Sequence, residues 1–189
     1  LAQEDMVQRL EGVIRDTGAN PANLKVELTE TSLMRDPQAA RRQMELIKAR
    51  HPGIRIAIDD FGTGYSSLAY LSDFPFDLLK IDRHFVINLN KGQNARIVNA
   101  ILALARNLHM EVVAEGVETV DQFRYLSSQD CQTFQGYYFA KPMDVQSVDS
   151  LLSMPLPWSV AFERNSTRAF PFSKHQTQPR IVAFDRNTG

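Results

Sequence analysis

The 189-residue sequence has little of several features that define whole classes of protein. Its single cysteine, Cys131, cannot form an internal disulfide and is expected to be a small buried side chain. No apolar run approaches the roughly 18–20 residues of a membrane span. The net charge of −1 argues against a broad surface for nucleic-acid polymers. What remains, with 43% hydrophobic and 23% charged residues, is the composition of a globular domain.

Strand-like and helix-like periods alternate along residues 24–154. Strands are predicted at 24–28, 54–58, 78–81, 111–114 and 133–138, and helices at 3–16, 37–50, 66–71, 94–109, after Thr119, and 144–154. Asp36-Pro37 is typical of a helix start, and Thr119 with Gln122 fits a capping box. Such alternation predicts an α/β fold with a parallel sheet. The alternation of strands and helices fits both a doubly wound sheet and part of an eight-stranded barrel. A complete barrel takes about 250 residues.

The last part of the sequence departs from this alternation. Residues 155–189 contain four prolines and many small polar residues, with one short predicted strand at 180–184. The chain is therefore divided into a domain portion, 1–157, and a tail, 158–189.

Charged and amide side chains fall where the predicted strands end. They are Glu27, Glu30, Asp59, Asp60, Lys80, Asp82, Glu115, Glu118 and Gln135. The carboxyl ends of parallel strands meet at one face, where ligands bind. Carboxylates brought together there repel one another unless cations lie between them, and oxygen ligands favour Mg²⁺ or Mn²⁺. Any single one of them could instead cap the following helix.

The pair Asp59-Asp60 stands out because an unusual segment follows it. That segment reads Phe61-Gly62-Thr63-Gly64-Tyr65-Ser66-Ser67-Leu68. The two glycines give the loop freedom to close over a ligand. Ser66 and Ser67 also suit an ordinary helix N-cap.

Here the residues carry a resemblance to a known family. Residues 59–68 resemble the signature of EAL-domain cyclic di-GMP phosphodiesterases. So do Glu27-Leu28-Thr29-Glu30, Leu79-Lys80-Ile81-Asp82, Val113-Ala114-Glu115-Gly116-Val117-Glu118 and Gln135-Gly136-Tyr137-Tyr138-Phe139. The five motifs occur in the family's order over roughly residues 1–154, and the set is highly specific.

The resemblance implies a modified (β/α)8, TIM-like barrel, of which this chain supplies about the last five βα units. It also implies hydrolysis of cyclic di-GMP to linear pGpG at a two-metal site using Mg²⁺ or Mn²⁺, with Ca²⁺ inhibitory. The implied metal ligands are Glu27, Asp59, Asp60 and Glu115, with Glu115 also the general base. Lys80 is implied as a catalytic contact to the attacking water or a phosphate oxygen, and Gln135 as a substrate or water contact. The implied loop-positioning residues are Glu30, Glu118, Gly62, Thr63, Gly64 and Ser66.

By the same resemblance, the Glu-Ala-Leu motif that names the family would lie upstream of Leu1, with a metal-binding Glu, an Arg and an Asn. We therefore expect residues 1–189 alone to hydrolyse cyclic di-GMP poorly and to leave sheet edges open, which favours pairing of two copies. Two alternatives remain: a non-catalytic cyclic di-GMP receptor, and a protein-interaction module of the same fold. The resemblance further implies bacterial signal transduction, a cytoplasmic location (with possible tethering through other segments), a possible homodimer, and upstream sensory or GGDEF-type domains.

Overall fold

The computed structural model describes residues 5–63, 68–89, 92–153 and 180–181. The chain divides into two compact units. The first draws on residues 1–82 and 100–112, and the second on residues 83–99 and 113–189. Among the described residues, no helix has the length and apolar character needed to cross a membrane.

Strands and helices alternate through the first unit. It contains α1 (Asp5–Thr17), a short 3-10 helix (Pro21–Asn23), β1 (Lys25–Thr29), α2 (Glu30–Arg35), α3 (Pro37–Arg50), β2 (Arg55–Phe61), α4 (Leu68–Asp73) and β3 (Leu78–Ile81). The strands β1, β2 and β3 are parallel neighbours in that order, with Val26 beside Ile56 and Ile58 beside Leu79. Strand neighbours that follow chain order are typical of a barrel, whereas the strand order reverses in a doubly wound sheet.

The core of this unit lies on β2, β3 and the helices packed against them. Its least exposed side chains are Leu33, Met44, Ile47, Ile54, Ile56, Ile58, Leu78, Leu79 and Ile81. Burying a side chain of this kind stabilises the fold by roughly 1.5–3 kcal/mol. Two charged side chains share these strands, Asp59 at 8% exposure and Lys80 at 4%. Burial of charge is unfavourable unless the charges are paired, so their placement needs a specific explanation.

The rest of the chain continues the same alternation. It contains α5 (Arg83–Ile87), α6 (Gly92–Asn107), β4 (Glu111–Glu115), α7 (Val120–Ser128), β5 (Thr133–Gln135), α8 (Val145–Leu152) and β6 (Arg180–Ile181). In the second unit, β5 pairs in parallel with β4 and with β6. Its core includes the rings of Phe123, Phe134 and Phe139, with the centroid of Phe123 lying 5.0 Å from that of Phe134 and 5.9 Å from that of Phe139.

The two helix starts predicted from the sequence are confirmed. The Asp36 carboxylate accepts a hydrogen bond from the Ala39 N–H at 2.9 Å, at the N-terminus of α3. Thr119 and Gln122 form a reciprocal capping box at the start of α7. Such caps satisfy N–H groups that have no partner within the first turn of a helix.

Several boundaries differ from the prediction. Strand β2 continues through Asp59-Asp60 to Phe61 instead of ending before them, and β5 ends at Gln135 instead of Tyr138. The C-terminal strand is described only for Arg180–Ile181, and the predicted helix start at Ser66 lies outside the described residues.

Two short helices were absent from the sequence-based prediction. Helix α2 begins at Glu30, because the Thr29 hydroxyl accepts a hydrogen bond from the Ser32 N–H at 3.3 Å and caps a new helix directly after β1. Helix α5 has only five residues, too few to show a periodic pattern.

Candidate metal centre

The first unit brings together one lysine and two carboxylates from three adjacent strands. Lys80 lies in β3, and its Nζ is 2.7 Å from Glu27 Oε2 on β1 and 3.0 Å from Asp59 Oδ1 on β2. The three residues are separated by up to 53 positions in the sequence. Parallel pairing brings them to the same end of the three strands, because Asp59 is in register with Thr29, two residues beyond Glu27.

A β-bulge at the end of β2 shapes this cluster. Ile58 pairs with Leu79 but Phe61 pairs with Ile81, so β2 carries one extra residue across Asp59-Asp60. Asp60 adopts a positive φ of 54°, a left-handed conformation in which aspartate is enriched among non-glycine residues. The Asp60 N–H donates to Asp59 Oδ1 at 3.0 Å, which orients the Asp59 side chain. The bulge therefore presents two consecutive carboxylates at one end of the strand.

The donor set at this bulge fits a hard divalent cation. One carboxylate oxygen of Asp59 and one of Asp60 lie within 4.8 Å of each other. Asp59 is buried and Asp60 is half-buried. Two partly desolvated negative charges so close together repel each other unless a cation balances them, and oxygen ligands are those preferred by Mg²⁺ and Mn²⁺. The structure therefore indicates a divalent metal centre of oxygen ligands.

The segment that follows the bulge is tied to α2. Glu30 is only 1% exposed, and its Oε2 accepts a hydrogen bond from the Gly62 N–H at 3.0 Å. The Thr63 hydroxyl donates to the Asp60 carbonyl at 2.8 Å, which closes a turn directly after β2. These contacts hold the first part of the loop, and Gly64 and Ser66 lie outside the described residues.

In the second unit, Glu115 and Gln135 are adjacent strand-end residues. Glu115 is the last residue of β4 and is 5% exposed. Gln135 is the last residue of β5, in register with Glu115. Glu118 follows β4 with an exposed side chain, and its N–H donates to Gln122 Oε1 at 2.7 Å. Its implied role in positioning the loop therefore stays a prediction.

A backbone turn at Gly136 determines where Gln135 ends its strand. The Val117 N–H donates to the Gln135 carbonyl at 3.1 Å, and the Tyr138 N–H donates to the Val117 carbonyl at 2.9 Å. A Cβ atom on Gly136 would lie 2.1 Å from the Val117 carbonyl oxygen. Only glycine fits this close approach, which the sequence pattern did not reveal.

Gly136→Ala is therefore expected to lower the free energy of unfolding by about 3 kcal/mol or more. Overpacking typically costs about 1–3 kcal/mol, and the obstructing atoms here belong to the backbone, which cannot move aside as a side chain can. The change in unfolding free energy can be measured by urea denaturation. Gly92→Ala is the matched control, since a Cβ there meets no atom within 4 Å. Equal stability of the two variants would contradict the close packing at Gly136.

Cys131 is buried, as the sequence predicted. Burial raises the pKa of its thiol to about 12. Because the thiolate is the reactive form, this shift disfavours a nucleophilic role for Cys131 at neutral pH.

Fold and site together define a domain of parallel β/α units with a carboxylate centre for a divalent cation. The chain belongs to the EAL domain family, which it matches over residues 1–142. The family assignment made from the five motifs is therefore confirmed.

The sequence of this chain is similar to that of a relative with an assigned activity. The cyclic di-GMP phosphodiesterase NbdA of Pseudomonas aeruginosa is 38% identical over 153 residues, which is 80% of this chain and 19% of NbdA. The chain spans about a fifth of the length of the curated relatives it matches first.

Solved structures show the same fold. The PaMucR phosphodiesterase in complex with c-di-GMP is 40% identical, with a TM-score of 0.73 over 76% of this chain and 58% of that chain. BlrP1 of Klebsiella pneumoniae, in a manganese and cyclic di-GMP complex, is 33% identical, with a TM-score of 0.66 over 72% of this chain and 35% of that chain. EAL domains are TIM-barrel-like, so the expected α/β barrel class is confirmed.

Proposed function

We propose that this chain is part of a phosphodiesterase that hydrolyses cyclic di-GMP to linear pGpG, and that it carries several of the metal ligands of that enzyme. The observation that carries the proposal is the cluster of Glu27, Asp59 and Lys80 with Asp60 beside it. All four residues come from motifs that this chain shares with the EAL family. NbdA is named a cyclic di-GMP phosphodiesterase, and PaMucR is a phosphodiesterase solved with c-di-GMP.

The proposed metal ligands are Glu27, Asp59, Asp60 and Glu115, and the proposed ions are Mg²⁺ or Mn²⁺. All four residues offer carboxylate oxygens, the donor type of these hard ions. When bound, such ions activate water and stabilise the charge that develops on phosphoryl oxygens. Ca²⁺ is expected to occupy the centre with poorer activity, because its coordination is larger and less rigid.

The protein's own residues have distinct proposed roles. Glu115 accepts a proton from the attacking water, whose oxygen forms the new bond to phosphorus as the bond from phosphorus to the 3′ oxygen breaks. The departing 3′ oxygen takes up a proton from solvent and becomes the 3′ hydroxyl of pGpG. Lys80 supplies a fixed positive charge to the phosphoryl oxygens, on which negative charge increases in the transition state. Gln135 contacts the water or a phosphate oxygen, and Glu30 holds the loop that begins at Gly62.

The metal requirement gives a direct test of this function. A longer protein that carries this chain is incubated with cyclic di-GMP and Mg²⁺ or Mn²⁺, and chromatography is expected to show pGpG, whereas residues 1–189 alone are expected to produce little of it. Excess chelator is expected to abolish the product, and restored metal to return it. Turnover that persists in excess chelator would refute a metal-dependent reaction. Tight binding of cyclic di-GMP without any cleavage, in this chain and in longer proteins that carry it, would favour the receptor alternative.

Other implications of the family resemblance stay predictions. They are a homodimer, upstream sensory or GGDEF-type domains, a cytoplasmic location, and the tail at 158–189 as a separate segment. Size measurement by light scattering tests the first of these.

A further inference from the structure

Lys80 is the most buried charged side chain of the cluster, and its ion pairs with Glu27 and Asp59 affect how the cluster binds metal. Its side chain is 6% exposed, against 11% for Asp59 and 41% for Glu27. A lysine taken this far out of water requires nearby negative charge, and here Glu27 and Asp59, which are proposed metal ligands, supply it.

The Lys80 ammonium group and a divalent ion would both be stabilised by the same carboxylate charges. Glu27, Asp59 and Asp60 together carry three formal negative charges, and Lys80 neutralises one of them. A divalent ion held by these carboxylates would be close to the ammonium group, and the two positive charges would repel each other. Glu27 is the partner that can move most easily, because it is the most exposed of the three residues in the ion-pair cluster.

We propose that Lys80 is an internal counter-cation that competes with the metal and lowers the affinity of the centre for it. In the absence of metal, Lys80 holds Glu27 and Asp59 together. When metal binds, Lys80 loosens from at least one carboxylate and becomes available to the phosphoryl oxygens of the substrate. This inference rests on the proposed function, since it assumes that these carboxylates bind metal.

The contrasting role is that of a positioning residue. In that role, Lys80 would hold Glu27 in the orientation that suits the metal, and its loss would weaken metal binding. The two roles predict opposite signs for the same measurement, so the sign of the change in affinity decides between them.

The experiment measures Mn²⁺ binding to the full chain by electron paramagnetic resonance and by calorimetry at neutral pH. Lys80→Met and Lys80→Gln remove the charge and retain much of the side-chain length. Both are expected to bind Mn²⁺ at least about fivefold more tightly, the effect of one unit charge at about 4 Å even with full water screening. Lys80→Arg keeps the charge and is expected to stay within about twofold of the wild type.

Lys48→Met is the matched control. Lys48, in the same unit, forms an ion pair at 2.6 Å with Asp77, the residue directly before β3. This variant removes the same charge and is expected to leave Mn²⁺ affinity unchanged, even though the protein becomes less stable.

A second measurement separates competition from a purely structural role. The neutral Lys80 variants are expected to unfold at lower temperature without metal and to gain a larger increase in Tm from Mn²⁺ than the wild type does. Failure of both neutral variants to fold even with Mn²⁺ would overturn the proposal, because a competitor is dispensable once the metal has replaced it.

The outcomes distinguish this inference from the proposed function. If the wild type binds Mn²⁺ and the neutral variants bind it equally or more weakly, the counter-cation role is wrong and the metal centre stands. If neither the wild type nor any Lys80 variant binds Mn²⁺, the metal centre itself is wrong, and this inference is wrong with it.

Discussion

Replacing Glu115 by Gln is expected to reduce the turnover of cyclic di-GMP by about 10²–10⁴-fold, the usual contribution of a positioned general base. Glutamine has nearly the same shape but cannot accept the proton of the attacking water. Glu115 is 5% exposed at the end of β4, so a side chain of equal size leaves the packing intact. Nucleotide binding is expected to stay measurable by calorimetry. The rate is measured in longer proteins that carry this chain.

The same strand offers the control for this variant. Glu111 begins β4, is exposed, and forms an ion pair with Arg55 at 2.9 Å. Glu111→Gln therefore removes one carboxylate from the opposite end of the strand and is expected to leave the rate nearly unchanged. A near-normal rate in Glu115→Gln would show that the assignment of Glu115 as the base is wrong.

Asp59→Asn is expected to weaken Mn²⁺ binding by more than about a hundredfold. Loss of a residue that merely supports a metal ligand typically weakens metal affinity by 10–100-fold, and Asp59 is a proposed ligand itself. The amide is neutral, and it also weakens the ion pair at 3.0 Å with Lys80. Calorimetric titration with Mn²⁺ measures the change, and turnover is expected to fall with it.

Asp77→Asn is the control for this second variant. Asp77 accepts hydrogen bonds from Lys48 Nζ and from the Ile56 N–H, each at 2.6 Å. Asp77 is likewise the acidic partner of a lysine in the same unit, but it is half-buried and lies outside the proposed ligand set. Its loss is expected to lower the unfolding free energy without changing Mn²⁺ affinity. If the two variants bound Mn²⁺ equally well, Asp59 would not be a metal ligand.

Local patterns predicted much of the fold. Strand β3 has the bounds read from its apolar run, and α3 begins at the Asp36-Pro37 signal. A capping residue acts on N–H groups within three positions of itself, so such signals are readable in a short window of sequence. The succession of parallel strands also followed from periodicity, because each strand and each helix has its own repeat.

Other features depended on residues far apart in the sequence. The bulge at Asp59-Asp60 appears only in the unequal pairing of β2 with β3, and β5 ends early because the backbone of Val117 packs against Gly136. The side-chain pattern of one strand does not show where an extra residue interrupts its pairing with the neighbouring strand, or where another backbone segment ends that pairing. The strand bounds predicted at these two places were therefore wrong.

By itself, the sequence determined the order of the predicted elements, the family, and the oxygen chemistry of the site residues. All three can be read from local patterns, the first from periodicity and the other two from short motifs. The tertiary structure alone decided that Lys80 lies between Glu27 and Asp59, and that Glu30 accepts a hydrogen bond from Gly62. These contacts join residues that are 21 to 53 positions apart. They form only when separate strands and a helix pack together, and they bury charge only because the surrounding core excludes water.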